Sequence, residues 1–149
     1  MKRLFPVLAA VAFLAPQLAA SQAAGQSGPP SSLTIDFHGL KTRKGMVLAA
    51  LFDSRATYDA NARPIRTWTL PAGGGDFSVT VAGLKPGEYA IKAFHDVDGN
   101  GRMNFSPIGY PMEPYAFSNN ARGMFGPPAW RQAAFHVGAG ANDQSIQLH

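Results

Sequence analysis

Phe77-Ser78-Val79-Thr80-Val81-Ala82-Gly83-Leu84-Lys85-Pro86-Gly87-Glu88-Tyr89-Ala90-Ile91-Lys92-Ala93-Phe94-His95 is the stretch on which the fold turns. Phe77, Val79 and Val81 alternate with Asp76, Ser78 and Thr80, which is the period of a half-buried strand. Leu84-Lys85-Pro86-Gly87 makes a tight connection, because Pro86 presets the first turn dihedral and Gly87 is free to take positive φ. Tyr89, Ile91, Ala93 and His95 then share one face of a second strand, with Lys92 on the other. The two halves predict a β-hairpin over residues 77–95.

Upstream, Leu33, Ile35 and Phe37 alternate with Thr34, Asp36 and His38, predicting another strand. Residues 46–52 are unbroken apolar and read as a central strand covered on both faces. Residues 54–64 read as polar and irregular, and 65–70 as a short strand carrying Trp68 that ends in the breaker run 71–75. Downstream, Pro127 and Pro128 are placed to start a helical turn carrying Trp130 and Arg131. Phe135 and Val137, then Ile146 and Leu148, predict two closing strands. About six or seven short strands with almost no helical period imply an all-β fold, an antiparallel β-sandwich of two sheets.

Residues 1–23 read as a signal peptide: Lys2 and Arg3, an apolar core, then small residues around Ala20 and Ala23. The apolar core is short of the roughly 20 residues of a membrane span. Residues 24–31 follow as a flexible leader and 32–149 as one domain, expected to be secreted or periplasmic. The chain has no cysteine, which excludes disulfides, thiolate metal sites and a lipid-modified N-terminal cysteine. Loss of Lys2 and Arg3 with the leader reduces the net charge from +4 to about +2, and the remaining basic residues form no stripe, so nucleic acid is not an expected partner.

The loop after the second strand of the opening stretch, His95-Asp96-Val97-Asp98-Gly99-Asn100-Gly101-Arg102-Met103-Asn104, has the spacing of a calcium loop. Asp96, Asp98 and Asn100 stand at ligand positions 1, 3 and 5, Gly101 at the sharp turn, the Arg102 carbonyl at position 7 and Asn104 at position 9. Position 12 is Pro107 instead of a bidentate Glu, so Glu113, or a carbonyl near it, is the candidate to close the cage. The prolines that follow forbid an exit helix, which rules out the helix-loop-helix fold usual for such loops. The plainer alternative is a turn in which Asx side chains cap their own backbone.

Leu84-Lys85-Pro86-Gly87-Glu88-Tyr89-Ala90, Phe94 to Gly101, Gly109-Tyr110-Pro111-Met112-Glu113-Pro114-Tyr115-Ala116-Phe117-Ser118-Asn119-Asn120 and Gly126-Pro127-Pro128-Ala129-Trp130 occur here in an order that resembles DUF2141, a family of bacterial exported domains of unknown function. The likeness runs over about residues 33–148. It implies an exported or periplasmic β-sandwich related to immunoglobulin-like or transthyretin-like modules, and it implies no activity. Ala116 stands where a glycine is common in the family.

The expectation is therefore a non-catalytic exported module that holds Ca2+ through Asp96, Asp98, Asn100, Arg102, Asn104 and Glu113. The ion orders the aromatic segment 105–130 as a packing or recognition surface for a protein, glycan or small ligand of the cell envelope. Within that segment Tyr110, Tyr115, Phe117, Phe125 and Trp130 are expected chiefly to roof a sheet, with a groove near Trp130 and Tyr115 as the alternative. A different class, a metal-dependent hydrolase, would use His95, Asp96 and Glu113. Ser118 lacks a Gly-x-Ser-x-Gly elbow and is not expected to be a nucleophile. His95, in phase with the inward face, is expected to be structural.

Overall fold

The computed structural model describes residues 30–149, and the stretches read above as a signal peptide and most of a flexible leader lie outside them. Eight strands form two sheets. In the first sheet, β1 (Ser31–His38) lies between β4 (Phe77–Leu84) and β8 (Ala141–Gln147). The second has the order β3 (Arg66–Pro71), β2 (Met46–Phe52), β5 (Gly87–Asp96) and β6 (Tyr115–Phe117), with β7 (Phe135–Val137) also on β5. Two short helices, α1 (Arg55–Asp59) and α2 (Trp130–Ala133), complete the chain. Among the described residues no helix is long and apolar enough to cross a membrane.

The alternation in β1 works as expected: Leu33, Ile35 and Phe37 are fully buried and their neighbours half-exposed. They meet Val47 and Leu51 of β2, Ile91 of β5 and Ile146 of β8 in one core shared by both sheets. Each such side chain is worth about 1.5–3 kcal/mol of apolar burial. In β2, Val47, Ala49 and Leu51 face that core, but Met46, Leu48 and Ala50 are only half-buried. The expected cover on both faces is therefore partial, and it comes from a second cluster in which Tyr58 of α1 and Trp130 and Ala133 of α2 pack on Phe52 and Ala90.

Residues 77–95 are two strands joined by a tight link, as the pattern indicates, but they do not pair with each other. β4 pairs with β1 and β5 with β2, so the link crosses from one sheet to the other as an arch. Gly83, at φ 75°, sits in the bulge where the β1–β4 register shifts, and the Tyr89 hydroxyl donates to the Lys85 carbonyl across the bend at 2.7 Å. Alternation fixes which side chains point inward and is the same for a hairpin and an arch.

The antiparallel expectation also fails at one pairing, since β8 runs parallel to β1. β7 belongs to the other sheet, and residues 138–140 carry the chain across so that it enters beside β1 from the same end. Asn142 holds this crossing. Its Oδ1 accepts from Gly138 N at 2.9 Å while its Nδ2 donates to the carbonyls of Ser32, Gly138 and Gly140. Residues 54–64 also contain the one-turn helix α1, capped by Ser54 Oγ, which accepts from Thr57 N.

Candidate cation loop and apolar groove

β5 ends at the site. Strand alternation sends His95 inward and Asp96 to the opposite face, so the two side chains do not work together. His95 is fully buried and its Nε2 lies 2.6 Å from the Lys44 carbonyl, an atom that can only accept, so Nε2 carries the proton. Nδ1 is left without a partner among the described residues. Among the described residues the group that converges is Asp96, Asp98 and Glu113, and His95, which the hydrolase reading would join to it, is not in that group.

Asp96, Asp98 and Glu113 do converge, each offering a carboxylate oxygen within 4.8 Å of the others. Asp96 is 1% exposed, and its carboxylate accepts from the backbone N–H groups of Gly99, Asn100 and Gly101 at 2.8, 3.1 and 2.7 Å. Glu113 is buried too, and its two oxygens accept from Val97 N and Asn104 N at 2.9 and 3.1 Å. Exposed Asp98 accepts from Asn104 Nδ2 at 2.7 Å and from Asn100 N and Nδ2. The Asn104 amide, followed by the Asn100 backbone N–H, holds the Asp98 carboxyl below its ordinary range. Asn100 Oδ1 accepts from Arg102 N, and Asn100 Nδ2 donates to Asn104 Oδ1.

Two buried carboxylates whose oxygens come within 4.8 Å of each other, as those of Asp96 and Glu113 do, repel when both are ionised. The ring of N–H donors offsets this in part. A divalent cation between them would also offset it, and carboxylate oxygens are the donors a hard cation takes. Turning the Asn104 amide over would bring its oxygen to the same point.

The same contacts fix the base of a projecting finger. Asn104 N binds Glu113, Met112 N donates to the Asn104 carbonyl at 2.8 Å, Phe105 bridges to Pro111, and Ser106 N donates to the Tyr110 carbonyl. Its apolar side chains point outward: Phe105 is 59%, Ile108 82%, Tyr110 70% and Met112 70% exposed. Beside it a second turn carries Met124 and Phe125, at 90% and 100% exposure. Both loops line a groove of about 390 Å³ with Met103, Tyr115 and Phe117.

The expected aromatic set therefore divides. Tyr110 and Tyr115 stand open to the groove, while Phe117 keeps only 8% exposure. Trp130 does not reach the groove. It is buried edge-on against Tyr58 with ring centroids 5.6 Å apart, and the Tyr58 hydroxyl donates to the Pro128 carbonyl. A Trp at the start of a helical turn has an apolar face to pack against, which is why it roofs β2 and β5 instead of lining a groove. Ser118 is fully buried, accepting from Ile91 N at 2.9 Å and donating to the Ala133 carbonyl at 2.5 Å, so it ties β5 to α2. Ile108, Met112 and Met124 were not singled out by sequence. The available signal was that residues 103–127 hold many apolar side chains in no period and, apart from Glu113 and Arg122, no charge.

The family profile described as "Uncharacterized protein conserved in bacteria (DUF2141)" matches residues 35–146. The chain belongs to the DUF2141 family. The match begins inside β1 and ends inside β8, so this DUF2141 domain includes the sheets, the carboxylate loop and the groove. No curated protein and no solved structure matches the chain.

Proposed function

We propose that this DUF2141 protein is an exported, non-catalytic binding module of the cell envelope, in which Ca2+ at the Asp96 loop stiffens the base of an apolar binding surface. The observation that carries the reading is the distribution of exposed apolar side chains. Among the described residues, every large hydrophobic side chain that is exposed lies between Phe105 and Phe125. Such a patch is costly to leave in water and marks an interaction site. The finger's base is tied to the carboxylates that a cation would bridge, so ion and surface are coupled through Glu113 and Asn104. Export to the periplasm or medium rests on the leader read from sequence, and a kinship with immunoglobulin-like or transthyretin-like sandwiches is part of the same proposal. The apolar lining favours an apolar ligand over a glycan, for which Trp130 would have been the natural platform.

The test is a calorimetric titration of the purified protein with calcium, magnesium and zinc in turn. Calcium is expected to give the largest heat, and Asp96→Ala and Asp98→Ala to abolish it with the fold retained. Equal weak heats for all three ions in both wild type and variants would reduce the loop to a capped turn.

A further inference from the structure

The binding surface proposed above has a charge pattern as well as an apolar one. From Arg102 to Arg131 the sequence holds a single carboxylate, Glu113, which is buried and occupied by backbone N–H groups. The exposed charged side chains of this stretch are Arg102, Arg122 and Arg131. Arg102 precedes Met103 of the groove lining, and Arg122 shares a shallow adjoining depression with Tyr115 and Phe117, which also line the groove.

The apolar side chains sit at the tips of two separate loops, with Ile108 on one and Met124 and Phe125 on the other. Both tips are held in shape. Gly109 takes φ 83° in the turn closed by Gly109 N to the Ser106 carbonyl, and Gly123 packs so closely on the Gly126 carbonyl that a Cβ would collide with it. A peptide lying in the groove would contact its lining but leave the outer sides of Phe125 and Ile108 in water. A medium that surrounds the tips, apolar inside and negative at its boundary, satisfies both the tips and the arginines.

Resting on the reading of this segment as the binding surface, we propose that the two loop tips dock the domain on an anionic lipid bilayer, with Ile108, Met124 and Phe125 entering the acyl boundary and Arg102 and Arg122 lying against lipid phosphates. No chain crosses the bilayer in this arrangement.

Sedimentation of the purified protein with sucrose-loaded vesicles tests it, run both with calcium and with EDTA, so that bridging of acidic lipids by the ion is told apart from docking by the loop tips. Binding is expected to vesicles containing about a third phosphatidylglycerol and not to pure phosphatidylcholine. Phe125→Ser and Ile108→Ser are expected to lower partitioning by at least about ten-fold. Arg102→Ala and Arg122→Ala should each lower it about five-fold, while Arg55→Ala on α1 leaves it unchanged. These side chains are exposed, so unchanged melting curves will show the variants folded. Equal binding to neutral vesicles, no binding to either, or a Phe125-dependent dimer in sedimentation equilibrium would overturn the proposal. If vesicles fail but bis-ANS still fluoresces in a Phe125-dependent way, lipid docking falls and the apolar-groove reading stands. Failure of both probes removes both.

Discussion

Replacing Ser118 by alanine removes one oxygen and leaves two backbone groups stranded. The Ser118 hydroxyl accepts from Ile91 N at 2.9 Å and donates to the Ala133 carbonyl at 2.5 Å, in surroundings with no solvent exposure. Each orphaned buried group costs about 1–3 kcal/mol, and the small volume lost leaves no room for a water to take over. Ser118→Ala is therefore expected to cost about 2–6 kcal/mol, which at about 4 °C per kcal/mol for a domain of this size lowers Tm by roughly 8–24 °C. The internal control is Ser106→Ala. Ser106 Oγ accepts from Tyr110 N in an exposed turn, where water replaces the lost bond at a cost below about 1 kcal/mol. Urea and thermal melts of both variants measure the difference. A Ser118→Ala loss no larger than that of Ser106→Ala would refute the account of Ser118 as the tie between β5 and α2.

Gly45 takes φ 75°, and a Cβ there would be driven into the Asp96 carbonyl, so Gly45→Ala is expected to cost about 2–4 kcal/mol by urea midpoint. Gly74→Ala, which faces open space, should change the midpoint little. Trp130→Ala is expected to cost about 3–5 kcal/mol while sparing bis-ANS binding to the folded fraction; loss of dye binding at unchanged stability would place Trp130 back in the groove. Burial, and then the nearby Asp59 charge, push the Tyr58 hydroxyl up to about 12. The protonated form is the one the fold favours, so this contribution is complete below pH 10 and is lost as pH rises from there through about 12, by roughly 2–3 kcal/mol. Tyr58→Phe should flatten the alkaline limb of stability against pH, and an unchanged limb would discount the group.

The inward faces were legible because alternation is a local property. Leu33, Ile35 and Phe37, or Tyr89, Ile91 and Ala93, point where their spacing says. Strand partnership is not local, and nothing in Leu84-Lys85-Pro86-Gly87 distinguishes a hairpin from an arch between sheets. The parallel entry of β8 was equally hidden, because it depends on Asn142 meeting Ser32 across the whole length of the domain. The helix α1 is a single turn, too short to show a period. At the site, the convergence of Asp96 and Asp98 was legible because one loop supplies both, and that of Glu113 because it is the next carboxylate along the chain. Trp130 and Phe125 are both aromatic and both lie in patternless sequence. Trp130 is buried because Tyr58, Phe52 and Ala90 come from distant parts of the chain to meet it, and Phe125 has no such neighbours.

The claim that a cation at the carboxylate loop stiffens the apolar finger is tested most directly by amide hydrogen exchange at Asn104 and Met112, with calcium and with EDTA. Their N–H groups bind Glu113 and the Asn104 carbonyl at the finger's base. Saturating calcium, at about 100 times its dissociation constant, would stabilise the native loop by about 2.7 kcal/mol and slow exchange there roughly 100-fold. Asp98→Asn should remove that slowing. Identical exchange rates at both amides in calcium and in EDTA would contradict the account.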